Sequence, residues 1–258
     1  MQEKIIIANW KLNGSMTLLH NLLKPIANFV NLNELHLKLI IALPFIYLYP
    51  ALNIVMNKNV IIGAQDVDIH SYGAFTGETS INMLNDIHVQ YVIIGHSERR
   101  LYHRESNDLI AKKFKIVKKF GLTPILCIGE SENDSNLLKI EKICQSQINP
   151  IIDLLGKKAF NNSIIAYEPI WAIGSGRIPS LNYIKNTCDL IKNYVLKRQN
   201  IDEKSLSVQY GGSVDENNVR EICQISSING VLVGSASLFL SRFLKILSIV
   251  SMENEKLR

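Results

Sequence analysis

The sequence predicts an α/β fold: one domain in which eight parallel strands alternate with helices and close into a (β/α)8 barrel. Three observations predict it. With 258 residues the chain is near the size at which a single hydrophobic core stops growing, about 250 to 300 residues, so residues 1–258 read as one barrel domain. Eight short apolar runs recur along the chain, each continuous in apolar side chains rather than alternating, as strands covered on both faces require. Between them lie stretches with helical spacing.

In order, the strand runs are KIIIANW from Lys4, LKLIIALP from Leu37, NVIIGAQD from Asn59, YVIIGHSE from Tyr91, TPILCIGE from Thr123, SIIAYEP from Ser163, LSVQYGG from Leu206 and GVLVGSA from Gly230. Leu18, Leu19, Leu22, Leu23 and Ile26 form one face of a first helix. Leu109, Ile110, Phe114, Val117 and Phe120 form a second, closed by Gly121. A third is expected after the seventh strand, where Ser213-Val-Asp-Glu216 has capping-box spacing and Val219, Ile222 and Cys223 supply the buried stripe. A doubly wound sheet usually has five or six strands and a nucleotide loop after the first. Here the first strand ends in Asn9-Trp-Lys-Leu-Asn-Gly14, without Gly-x-Gly-x-x-Gly, so a barrel is favoured. Ser131 to Asn136 reads as one polar loop and Met252 to Arg258 as a frayed tail, and no linker or repeat marks a domain boundary.

Hydrophobic residues make up 47% and charged residues 20%, which excludes a disordered chain. Lysine plus arginine, 28, less aspartate plus glutamate, 23, leaves +5, a mild excess that suits small anions without marking a nucleic-acid binder. The lysines at 112, 113, 115, 118 and 119 read as a solvated helix face. Four cysteines lack CxxC spacing, and the amino terminus lacks the apolar core of a signal peptide, so a reducing cytoplasm is expected. Leu39 to Leu52 is too short and too broken by Pro44 and Pro50 to span a membrane, which needs roughly 20 residues.

Active sites of such barrels lie on the face formed by the strand C-termini. Asn9 and Lys11 follow the first strand, His96 and Glu98 the fourth, Glu168 the sixth, Gly211-Gly212-Ser213 the seventh and Gly234-Ser235 the eighth. Glu168 precedes Pro169, Trp171 and Ile173, so an apolar lid can desolvate it and strengthen it as a base; a strand-end salt bridge is the plainer reading. A neutral His96 suits the polarisation of a carbonyl, although single histidines more often merely pack. Lys11 can face a phosphate and a developing oxyanion, or be an ordinary exposed lysine, and Glu98 or a neighbouring carboxylate can hold it. The glycine segments after strands seven and eight sit where this fold frequently binds phosphate through main-chain N–H groups. Ala172 to Arg177, with Gly174 and Gly176 between Pro169 and Pro179, has the stiff ends and pliable middle of a lid. The histidines show neither HxH nor HExxH spacing, so no metal is expected.

Five of these segments, Ala8-Asn-Trp-Lys11, Gly95-His-Ser-Glu-Arg-Arg100, Ala166-Tyr-Glu-Pro-Ile-Trp-Ala-Ile-Gly174, Tyr210-Gly-Gly-Ser-Val214 and Leu232-Val-Gly-Ser-Ala-Ser-Leu238, closely resemble the triosephosphate isomerase family, in order and over essentially the whole chain. The resemblance implies a TIM barrel that interconverts dihydroxyacetone phosphate and D-glyceraldehyde 3-phosphate through an enediolate, in glycolysis and gluconeogenesis. That enzyme is also a standard worked case of acid–base tuning with loop closure. The resemblance implies Glu168 as the base, His96 as the neutral electrophile, and Asn9 and Lys11 as the groups that bind substrate and stabilise its charge. Glu98 would support Lys11, and main-chain donors at Gly174, Ser213, Gly234 and Ser235 would hold the phosphate. The lid would comprise Pro169, Ile170, Trp171, Ala172, Ile173, Gly174, Ser175, Gly176 and Arg177. His70 to Glu78 resembles the family's loop that completes a neighbouring subunit's site, which implies a homodimer with Phe75 and Thr76 at the tip. No cofactor is implied, because proton transfer is the entire reaction.

Three departures stand out: Ser235 where the family commonly has a second glycine, Ser175 and Arg177 for the lid's usual threonine and lysine, and Leu101 to Arg104 before Glu105. Rival readings are a non-catalytic or differently specific phosphosugar-binding barrel and, from another class, a nucleic-acid binder using the lysine run.

Overall fold

In the computed structural model the described residues are 3–56, 58–131, 136–172 and 177–255. Eight parallel strands close into one barrel in sequence order. They are β1 (Ile5–Asn9), β2 (Lys38–Leu43), β3 (Val60–Ala64), β4 (Tyr91–Ile94), β5 (Thr123–Ile128), β6 (Ser163–Tyr167), β7 (Leu206–Tyr210) and β8 (Gly230–Val233). β8 returns to β1 with Ile5 opposite Gly230 and Ile7 opposite Leu232. The helices are α1 (Met16–Leu18), α2 (Lys24–Leu32), α3 (Leu48–Val55), α4 (Ile81–Asp86), α5 (Ser97–Tyr102), α6 (Asn107–Lys119), α7 (Leu137–Leu155), α8 (Leu181–Arg198), α9 (Val219–Cys223) and α10 (Leu240–Glu255).

The continuous apolar runs have the expected cause. Alternate residues of each strand face opposite ways. Ile5, Ile7, Ile40, Ile93, Ile125, Cys127, Ile164, Ala166 and Leu232 fill the barrel interior, while Ile6, Ala8, Ile41, Ile94, Leu126 and Ile165 meet the helix layer. The helices answer with buried stripes, such as Ile110, Phe114 and Val117 of α6. Gly121, at φ 79°, closes that helix after Phe120.

Prolines are absorbed locally. Pro150 inside α7 cannot donate to the Ser146 carbonyl, which instead accepts from Asn107 Nδ2 at 3.1 Å. Pro25 follows a π-helical turn over Leu19–Leu23, a widening that accommodates its missing N–H.

Three expectations need correction. The capping box is displaced by two residues: Asp215 N donates to Asn218 Oδ1 at 3.0 Å and Asn218 N to Asp215 Oδ1 at 3.2 Å, and α9 starts only at Val219. Glu216 is drawn off by Arg242, whose Nε lies 2.8 Å from Oε2, so it cannot reach back to Ser213. The carboxyl end is not frayed through residue 255, because α10 buries Glu253 and Asn254 against α9 and the loop before β2. The lysine run is not uniformly solvated. Lys113 is buried between Asp66 (2.7 Å) and Glu105 (2.6 Å), and Lys118 donates to the Asn161 carbonyl. The reason is common to both: these α6 positions turn toward the barrel, where a cation is tolerated only with partners.

Candidate active site

The interior files continue past the strand ends and aim the first site residues. Asn9 extends the Ile5–Ile7 file, and Glu168 extends the Ile164–Ala166 file. His96 has the opposite parity, since Ile93 faces inward and Ile94 outward. Gly95, at φ 68°, reverses the chain between them and turns the imidazole onto the same cleft as Asn9 and Lys11. Gly211 serves differently: a Cβ there would lie 2.9 Å from Glu168 Cγ, so only glycine leaves room for the carboxylate.

Glu168 is 1% exposed. Its Oε1 accepts from Cys127 Sγ at 3.2 Å and lies 3.5 Å from His96 Nε2, while Oε2 has no hydrogen-bond partner among the described residues. A buried carboxylate oxygen without a donor is costly and marks a position held open for something else. Burial, and then the Glu168 charge, push the Cys127 thiol well up, so it stays protonated and donates.

His96 precedes α5, and its Nδ1 accepts from the Glu98 N–H at 3.3 Å. That assigns the ring proton to Nε2, on the Glu168 side, by hydrogen-bond logic. Glu98 Oε2 also lies 3.5 Å from Nδ1. This is no ion pair, because a fixed main-chain donor already occupies that nitrogen's lone pair and Glu98 Oε1 is engaged by Lys11 Nζ at 2.5 Å. Lys11 adopts φ 52°. It is held there by its N–H to Asn9 Oδ1 (3.0 Å) and by Gln65 Nε2 donating to its carbonyl (2.9 Å). With its Oδ1 so engaged, Asn9 has its amide NH2 to offer.

Lys11, His96, Gly212, Ser213, Gly234 and Ser235 line one cleft of about 160 Å³. The rim splits into two kinds of main-chain N–H. Trp10, Glu168 and Gly211 continue the sheet ladder onto Ala42, Ile128 and Tyr167. The N–H groups of Gly212, Ser213, Gly234 and Ser235 have no such partner among the described residues. Main-chain N–H groups left unpaired on a cleft wall are the kind of donor that suits an anion.

Of the segment expected to form a lid, Ile170–Ala172 form a short 3-10 turn beside buried Pro169, and Arg177 is exposed; Ile173, Gly174, Ser175 and Gly176 lie outside the described residues. Sequence reasoning missed Glu130, which is fully buried and whose Oε1 accepts from Tyr167 Oη (2.9 Å), Trp171 Nε1 (3.1 Å) and Tyr183 Oη (2.8 Å), anchoring the Ile170–Ala172 turn. It also missed Gln65 and Cys127. A glutamate in the file after Ile128 carried a weak signal; the other two carried none.

Beside the cleft a second hollow of about 540 Å³ is lined by Leu12, Gln65, Glu98, Arg99 and Tyr102. Across the surface, the 70–78 loop is braced: His70 stacks on Phe75 at 3.6 Å and bonds Asp68 at 2.7 Å, leaving Tyr72, Phe75 and Thr76 exposed. Among the described residues no helix is long and apolar enough to cross a membrane, and no group of three or more His, Cys, Asp or Glu converges as metal ligands would.

Fold and rim together define an α/β-barrel protein with a buried carboxylate against an imidazole, and a lysine, at the C-terminal mouth of the barrel. The sequence model described as triosephosphate isomerase matches residues 4–250. A curated triosephosphate isomerase from Buchnera aphidicola subsp. Baizongia pistaciae is 54% identical over 250 residues, 96% of this chain and 99% of the relative. One from Blochmanniella floridana is 45% identical, over 97% of each chain. The crystal structure of triosephosphate isomerase from Bartonella henselae superposes with a TM-score of 0.85 at 29% identity, covering 96% of this chain and 98% of that one. The chain belongs to the triosephosphate isomerase family.

Proposed function

We infer that this chain interconverts dihydroxyacetone phosphate and D-glyceraldehyde 3-phosphate, an aldose–ketose isomerisation of glycolysis and gluconeogenesis. One observation carries the reading: the buried Glu168 carboxylate lies 3.5 Å from Nε2 of His96, and His96 in turn lines one cleft with Lys11, Ser213, Gly234 and Ser235. Glu168 takes the proton from one of the two carbons and returns it to the other, while the hydroxyl proton passes from one oxygen to its neighbour at the Nε2 side of His96, so that one carbonyl is lost as the other forms. The buried position of Glu168 keeps bulk water from exchanging with the proton it carries. His96, donating from Nε2, stabilises the enediolate oxygens, and Lys11 and the Asn9 amide add positive charge and a further donor. A positioned base supplies about 10² to 10⁴ in rate, so these donors and the exclusion of water by the lid from Pro169 to Arg177 supply the rest. The N–H groups of Ser213, Gly234 and Ser235, with Gly174 from the lid, hold the phosphate.

The protein acts in the cytoplasm as a homodimer. The braced loop bearing Phe75 and Thr76 is the element that enters the hollow beside Glu98 on a second copy, an exposed aromatic tip being otherwise costly. A coupled assay of triose phosphate interconversion on the purified protein tests the activity, and its mass in solution tests the dimer. Absence of turnover, or a monomer at full activity, would refute the respective statement.

A further inference from the structure

Two residues of that proposed phosphate site, Ser213 and Ser235, carry a side-chain donor as well as a main-chain one. Ser235 is the more exposed of the two within the cleft. Its peptide plane is fixed by the residue two positions on. The Gly234 carbonyl accepts from both Ser237 N (2.9 Å) and Ser237 Oγ (2.7 Å). In a planar trans peptide the following N–H points opposite to that carbonyl, so the Ser235 N–H is directed away from the turn. Ser237 thus spends its hydroxyl on the fold, whereas the Ser235 hydroxyl has no hydrogen-bond partner among the described residues. The same stretch runs close to the cation of the site: a Cβ on Gly234 would sit 3.7 Å from Lys11 Cε.

We propose that Ser235 grips the phosphate of the substrate with two donors, its main-chain N–H and its hydroxyl, and so sets the affinity of this chain for the phosphate dianion. The inference rests on the reading of the cleft as a phosphate-ester site. The hydroxyl lies on the same residue as an aimed N–H and rotates among three staggered positions, so it meets an anion at that N–H without moving the backbone. Hydrogen bonds to charged acceptors are the strong kind. Losing one in a cleft open to water is expected to weaken binding about tenfold. The competing view is that the Ser235 Cβ only crowds the anion, and it makes the opposite forecast for the glycine variant.

The test titrates wild type, Ser235→Ala and Ser235→Gly with inorganic phosphate by calorimetry and measures KM and kcat on the same preparations. Both variants are expected to raise the phosphate Kd and the KM about tenfold, with the loss in KM rather than kcat. Ser235→Ala keeps the Cβ and removes only the hydroxyl, so it separates donor from shape. Unchanged phosphate affinity in Ser235→Ala, or tighter binding in Ser235→Gly, overturns the inference. A wild type that binds phosphate and responds to Ser235→Ala but does not turn over triose phosphates would sink the catalytic reading and leave this inference standing. A wild type blind to phosphate would sink both.

Discussion

The two ends of the barrel treat polar groups in opposite ways. At the strand C-termini, among the described residues, a carboxylate oxygen of Glu168 goes unpartnered, four rim amide donors have no backbone partner, and Lys11 holds a positive φ. At the other end almost everything is spent internally. Buried Lys4, whose pKa burial pulls down, donates to the carbonyls of Cys223 (2.9 Å) and Ile228 (2.5 Å). Asn229 and Val208 exchange two bonds, and Ser251 and Asn254 clasp the N–H and carbonyl of His36. Closure is bought at one end so that the other can keep groups free for a ligand, the division this fold generally shows.

The sharpest way to break the comparison is at Glu168. Glu168→Gln should lower kcat about 10²- to 10⁴-fold while melting at or above the wild-type temperature, since it removes a poorly satisfied buried charge. Undiminished turnover would remove Glu168 from the chemistry. Lys11→Met should raise KM and lower kcat by about 10²-fold or more, and normal kinetics would strike it from the site.

Lys113→Met, on the stabilising side, leaves Asp66 and Glu105 with Arg99 as their remaining cation and should cost about 3 kcal/mol in urea unfolding. Burial alone would raise Glu105, but Lys113 and Arg99 outweigh it and hold the carboxyl below the ordinary 4.5. A folded value below the unfolded one gives stability that is complete above 4.5 and lost as pH falls through the folded value. Asp66, pushed up chiefly by burial, offsets part of that loss. Melting at stepped pH should therefore show wild type losing stability below about 4.5, and Glu105→Gln losing less over the same span. A smaller effect is expected at the clasp: Asn254→Ala should cost about 1 kcal/mol with kcat untouched. The smallest is chemical. All four cysteines are buried, with Cys144 pushed up to about 12 and Cys223 to about 11 by burial, so alkylation at pH 8 should label none until the protein is unfolded.

By itself the sequence determined the eight strands, their burial on both faces, and the rim positions of Asn9, Lys11, His96, Glu168 and the two glycine segments, because apolar periodicity and strand parity are local properties of the chain. It misjudged Lys113 and the carboxyl-terminal turn, and was silent on Glu130, Gln65 and Cys127, because each takes its meaning from a partner far along the chain. Lys113 lies 47 residues from Asp66, Lys11 lies 87 from Glu98, and Cys127 lies 41 from Glu168. Only closure of the barrel brings such residues within bonding distance, and a buried charge or an orphaned amide can be told from an ordinary one only once its neighbours are fixed in space.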